Sequence, residues 1–273
     1  MNTPANGPAL LQENVGVLKS RMGTFFPGSH VIYRGHDLHK DLKDMDWVEL
    51  WVFGITGRRF TKEQLRLLHA IWVYSSYPDV RLWNNRVAGL AGSSRSTGTL
   101  GLAAALAVSE ASIYGQGSAM RAMDFLIRTR RQLDEGGDLE TCIKQELELY
   151  RSVSGYGRPL VNADERIAPL LALAKSLGLD QGPYLSLALD VEKKLLEGRW
   201  RMKMNYASLI TALGADIGLT SHEFYMYMFP LFLSGMPPCF IEASGKREGT
   251  LYPITCADIL YDGHSKRVWQ KQA

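Results

Sequence analysis

A run of small residues, hydroxyls and one guanidinium, Ala91-Gly92-Ser93-Ser94-Arg95-Ser96-Thr97-Gly98, is the stretch of this sequence that most directly suggests binding chemistry. It precedes a small, apolar segment, 99–111, and a helix start there exposes N–H groups that attract a carboxylate or a phosphate. The same hydroxyls equally suit a plain helix cap on a tight turn. Six histidines, His30, His36, His39, His69, His222 and His264, stand in no catalytic context. His36 and His39 can share a helix face, but no third ligand lies near them, so no metal or prosthetic group is expected. The serine run neither follows a strand nor matches Gly-x-Ser-x-Gly, which removes serine hydrolysis. Cys142, Cys239 and Cys256 are odd in number and widely spaced, which fits reduced structural thiols better than a disulfide or zinc framework.

The elements that must position such residues read as helices throughout, so the fold class is all-α. Asp46 with Glu49, Thr61 with Gln64 and Thr220 with Glu223 have the spacing at which side chains satisfy orphaned first-turn N–H groups. After Thr61, the residues Leu65, Leu68 and Trp72 form an inward stripe. Segment 99–111 is apolar nearly all round, which predicts a central helix buried on most sides. A charged stretch over 128–138 marks a helix end, a turn and a new start, with Leu139, Ile143, Leu147 and Tyr150 continuing at helical spacing. Asp164 can cap a helix that stops at Gly178, and Pro183 opens another that runs to Gly198. A further helix starts at Asn205.

With 273 residues the chain can bury a full core, and 46% hydrophobic with 22% charged residues is ordinary for a folded domain. Lys and Arg number 31 against 28 Asp and Glu, a balance with no basic stripe interleaved with aromatics, so no nucleic acid is expected as a partner. No apolar run reaches the length of a spanning helix, the densest being interrupted by Pro230, Pro237 and Pro238, so no membrane is expected either. Residues 1–9 lack a signal pattern, and a cytoplasmic location follows as an expectation.

Several landmarks, taken in order, resemble those of the citrate synthase superfamily. Gly155-Tyr156-Gly157-Arg158 stands where that family carries Gly-Phe/Tyr-Gly-His, and Asp164-Glu165-Arg166 stands where it carries Asp-Pro-Arg. Upstream, Leu90-Ala91-Gly92-Ser93-Ser94, the small-residue helix and Ile113-Tyr114-Gly115-Gln116-Gly117 parallel its Ala-Gly-Ser-Ser, apolar helix and His-Gly-Gly-Ala-Asn. The ends are closer to the citryl-CoA lyase branch: Tyr33-Arg34-Gly35-His36-Asp37-Leu38 is similar to its Arg-Gly-Tyr-Asp-Leu, and the segment from Pro253 to Gly263 is similar to its tail. The likeness covers nearly the whole chain from about Val31.

This resemblance implies a homodimeric protein with a large helical domain of residues 1–119 and 231–273, a small one of 120–230, and a ligand cleft between them. It implies acyl-CoA as substrate, an oxo-acid or related acceptor, and acyltransferase or citryl-CoA lyase-like carbon–carbon bond formation or cleavage. It also implies an atypical catalytic site. In the family one histidine holds the thioester carbonyl as it enolises, a second binds the ketone of oxaloacetate, and an aspartate removes the α-proton; the matching positions here are Tyr114, Arg158 and Asn205. Tyr114 and Arg158 can still donate hydrogen bonds, whereas the Asn205 carboxamide cannot act as a base. Arg166 keeps the place of one carboxylate-clamping arginine, Phe232 falls where a second aligns, and Asp258 or a neighbour where a third, from the partner subunit, does. One arginine clamps a tricarboxylate poorly, so the substrate should be less acidic than oxaloacetate. With Ser93, Ser94 and Arg95 these complete the expected binding set.

Simpler readings of the same residues stand beside these. Tyr114 suits a packing tyrosine, Arg158 a surface ion pair and Asn205 the cap of the helix it opens. Arg166, by contrast, sits against the dipole preference of a helix start, which favours a functional role. The alternative function is a catalytically silent homologue that binds acyl-CoA or a partner protein.

Overall fold

The computed structural model describes residues 7–16, 18–111, 115–158, 163–248, 250, 258 and 260–269. Contacts gather the chain into two compact units, Met1–Ser75 with Glu110–Leu231, and Ser76–Ser109 with Phe232–Ala273.

The first unit opens with a short exposed helix α1 (Pro8–Asn14) and a small antiparallel sheet in the order β1 (Gly23–Phe26), β2 (His30–Tyr33), β3 (His36–Asp37). The sheet was not foreseen in an all-α reading. Its second turn consists of Arg34 and Gly35, both at positive φ, the backbone twist that suits a two-residue hairpin. Arg34 also donates to the carbonyls of Gly54 and Ile55, at 2.8 and 3.0 Å, in the last turn of α2 (Trp47–Thr56). Asp46 caps that helix by accepting from the Glu49 N–H, and Thr61 and Gln64 cap α3 (Lys62–Ser75) reciprocally, as their spacing predicts. The buried stripe of α3 is Leu67, Leu68, Ile71 and Ser75, so the expected Leu65 and Trp72 flank it instead.

The centre of this unit is α10 (Tyr206–Asp216), on which α6 (Gln116–Asp134) and α9 (Pro183–Glu197) pack, with α7 (Leu139–Tyr150), α8 (Ile167–Ser176) and α11 (Ser221–Met228) around them. Residue after residue of α10 from Ser208 to Ala215 is buried. Its Thr211 hydroxyl is accommodated by donating back to the Ala207 carbonyl at 2.8 Å. The face of α6 that meets it carries Ala119, Ala122, Met123 and Leu126, at helical spacing. Thr220 and Glu223 form a complete capping box on α11.

The second unit is built from α4 (Trp83–Ser93), α5 (Gly98–Val108), a 3₁₀ turn (Leu233–Gly235) and α12 (Met236–Ser244), around Ala88, Ala105 and Met236. Helices α4 and α5 approach closely because Gly101 has no side chain: a Cβ there would lie 2.6 Å from the Ala91 Cβ. The expectation that segment 99–111 is buried on most sides is corrected. Within the chain only Gly101 and Ala105 of α5 are buried, and Leu100 is 66% exposed. Apolar composition marks a helix that has something to cover it, and among the described residues α5 packs against α4 and α12.

By length and composition Ser221–Ser244 is apolar enough to cross a membrane, which corrects the expectation that no run reaches that length. The chain nevertheless runs it as α11, the 3₁₀ turn and α12, with Pro230, Pro237 and Pro238 at the breaks.

Candidate functional site

The loop Ser154-Gly155-Tyr156-Gly157-Arg158 is zipped to the residues that open α10. The Gly155 carbonyl accepts from the Asn205 N–H at 2.9 Å, the Gly157 N–H donates to the Lys203 carbonyl at 2.7 Å, and Tyr156 forms an isolated antiparallel bridge with Met204. Gly155 has φ 90°, and a Cβ on it would lie 2.6 Å from the Cβ of Ser208, so both conformation and space demand glycine. Buried Tyr156 donates its hydroxyl to the Ala188 carbonyl at 2.9 Å. Burial pushes its phenol well above the ordinary tyrosine range, so it stays protonated.

Asn205 is the N-cap of α10: its Oδ1 accepts from the Ala207 N–H at 3.0 Å, and its Nδ2 donates to the Gly157 carbonyl at 2.9 Å. The capping role weighed from the sequence is therefore present, and the carboxamide ties the loop to the helix as well.

Asp164 is the hub of the arrangement. Its side chain is 0% exposed, and its two oxygens accept from Nε and Nη2 of Arg166 at 2.8 Å each. It also accepts from the backbone N–H of Arg166 at 3.2 Å and of Tyr206, the first residue of α10, at 3.0 Å. Burial by itself works to raise its pKa, but the Arg166 guanidinium and the two N–H groups outweigh it and hold the carboxyl below the usual carboxylate range. The Arg166 guanidinium lies over the Tyr206 ring, 4.3 Å from its centroid. Arg158 donates through Nη1 to the Ala163 carbonyl at 3.0 Å and to Glu165 at 2.8 Å, with its Nε 3.8 Å from Asp164.

Arg158 and Arg166 are thus brought together at one buried carboxylate, while the Asn205 side chain bonds to Gly157 and Ala207 instead. The expectation that Asp164 caps α8 is corrected: the N-cap there is Arg166, without a side-chain cap bond, and Asp164 serves α10 instead. Sequence reasoning also missed that Glu165 pairs with Arg158. The two arginines and two adjacent carboxylates within 158–166 were the available signal.

The remaining residues are placed otherwise. Tyr114 lies outside the described residues. Beyond it, Gly115 is the N-cap of α6, and the buried Gln116 that follows has a side-chain nitrogen without a hydrogen-bond partner among the described residues. In the second unit Ser93 is buried, its hydroxyl unpartnered among the described residues, whereas Ser94 is exposed and donates to the Ala91 carbonyl at 3.2 Å. Arg95, at φ 61°, donates to the carbonyls of Ser244 and, at 2.8 Å, Lys246 at the end of α12, and lies 3.5 Å from Glu248. Its guanidinium therefore ties off a helix. Asp258 is exposed. Cys142 and Cys239 are buried free thiols, and Cys256 lies outside the described residues.

No protein-family model matches the sequence, and no curated protein does. Solved structures do. A citryl-CoA lyase from Hydrogenobacter thermophilus superposes with a TM-score of 0.80 at 18% identity, over 93% of this chain and 98% of that one. An ATP citrate lyase from Methanothrix soehngenii, solved with citrate and coenzyme A, gives 0.73 at 15% identity over 97% of this chain, which spans 46% of its length. A citrate synthase from Thermoplasma acidophilum, in ternary complex with carboxymethyl coenzyme A and oxaloacetate, gives 0.62 at 19% identity, over 82% of this chain and 59% of that one. At these identities the likeness speaks for architecture alone: the chain shares the fold of these citryl-CoA lyase, ATP citrate lyase and citrate synthase structures.

Proposed function

We propose that the protein binds an acyl-CoA thioester and makes or breaks a carbon–carbon bond at its α-carbon, with a weakly charged oxo compound as acceptor. The observation that supports this reading is the pairing of Arg158 and Arg166 with buried Asp164, at the loop that Asn205 ties to α10 and where the resemblance predicted a site. In the forming direction the thioester gives up an α-proton and the resulting enolate adds to the acceptor carbonyl, whose oxygen takes up a proton. Arg158 is the donor nearest in role to the ketone-binding group, and Tyr114 the donor to the enolate oxygen. The base is a group other than Asn205, because a carboxamide takes up no proton near neutrality. Incubating the purified protein with acyl-CoA esters and oxo-acids tests the reading. Free CoA release or exchange of α-protons supports it, and the lack of both refutes it.

The bonding of Asn205 favours a second reading, a catalytically silent homologue that senses acyl-CoA or docks a partner protein. Both polar atoms of its side chain serve the loop and the helix start. Calorimetry decides the ligand-sensing form: binding of CoA esters without turnover supports it. Recovery of turnover in a triple variant, Asn205→Asp with Tyr114→His and Arg158→His, points to a degenerate enzyme origin. The proposal includes a homodimer in the cytoplasm, with the expected division into 1–119 with 231–273 and 120–230. The charge-free, exposed face of α5 supports the dimer, since a second copy would cover Leu100 and Val108.

A further inference from the structure

We infer that Glu165 is a specificity-determining residue: together with Asp164 it supplies resident counter-ions to Arg158 and Arg166, which restricts the acceptor to at most one negative charge. The inference rests on the reading that these arginines face the acceptor, and goes beyond it by naming what limits the acceptor's charge. Two guanidinium groups stand against two carboxylates in this cluster, so it is neutral before any ligand arrives. The pairing is intimate. Arg166 presents its Nε and Nη2 edge to Asp164 in the two-point geometry that matches guanidinium to carboxylate. Arg158 holds Glu165 at 2.8 Å through the same nitrogen that reaches the Ala163 carbonyl.

The two carboxylates differ in what could displace them. Asp164 is fully enclosed and also receives the Tyr206 N–H, so removing it disturbs the start of α10. Glu165 is 57% exposed, so an incoming carboxylate would compete with it for Arg158. A dicarboxylate arriving here meets a guanidinium already matched and a like charge beside it. A neutral carbonyl, or a 2-oxo monocarboxylate, does not need that second cation.

Calorimetric titration of wild type and Glu165→Gln with oxaloacetate and with pyruvate tests this. Glutamine keeps the shape of the side chain and removes only its charge, and an unchanged melting temperature certifies the fold. The expected result is an oxaloacetate affinity about tenfold higher in the variant, a gain that shrinks at high salt, with pyruvate affinity changed much less. Equal oxaloacetate affinity in the two proteins overturns the inference, and so does the failure of both to bind either acid. Should the variant gain affinity while no acyl-CoA supports turnover, the charge rule stands and the proposed enzymatic function falls.

Discussion

Replacing Asp164 by asparagine should strike the arrangement where its connections converge. The aspartate carboxylate is fully enclosed and accepts two hydrogen bonds from the Arg166 guanidinium and two from backbone N–H groups, one of which begins the central helix α10. Asparagine retains one acceptor oxygen but turns an NH₂ group toward a donor and leaves the guanidinium unbalanced. Breaking one side of a buried pair costs about 3–5 kcal/mol. Arg166 keeps a 21% exposed side chain that water can partly resolvate, which puts the cost at the low end, about 3 kcal/mol. For a chain of this size that corresponds to a melting temperature lower by roughly 6–12 °C. Differential scanning calorimetry measures it.

The pH dependence supplies a second readout. The folded carboxyl titrates below its unfolded value, so its stabilisation is complete above about pH 4 and is lost as pH falls through the lower, folded value. The gap between wild type and variant should therefore be constant at pH 5–7 and close only in strong acid. A variant that melts within about 1 °C of wild type at neutral pH would show that the hub is not a hub.

Gly155→Ala should cost about 2–4 kcal/mol, measured by urea unfolding, because the new methyl group meets Ser208 and the residue is held at φ 90°. Tyr156→Phe removes the second donor to the Ala188 carbonyl, which keeps its place in the α9 ladder, and should lower stability by about 1 kcal/mol in the same assay, without loss of helical circular dichroism. Leu100→Glu places a charge on the exposed face of α5; sedimentation should show a dimer in the wild type and a monomer in the variant, with the melting of the isolated chain little changed.

Most of the helices were legible because their start signals are local. Thr220 with Glu223, Thr61 with Gln64, and Asp138 at the head of α7 do their work within one turn, and spacing alone reveals them. Burial was harder to read. Segment 99–111 advertises a core helix by composition, while α10, the helix that is in fact enclosed, carries Ser208 and Thr211. The hydroxyl of Thr211 disappears into backbone bonds that no periodicity count foresees. The candidate site divides in the same way. The resemblance drew attention to Arg158, Arg166 and Asn205 as a set. The partners of the arginines were not legible, because two guanidinium groups and two carboxylates within nine residues allow several pairings, and only the fold of the loop chooses among them.

Arg34 and Arg95 adopt a backbone twist that side chains ordinarily avoid, and each reaches away to fasten the last carbonyls of a helix distant in sequence. Each such position therefore answers to two masters. Glycine would suit the bend and undo the knot, and lysine would keep the charge but cannot offer a planar fork to two oxygens at once. A saturation library should accordingly find these two surface positions as intolerant as the interior, and any redesign that treats them as free solvent-facing sites will loosen a helix end many residues away.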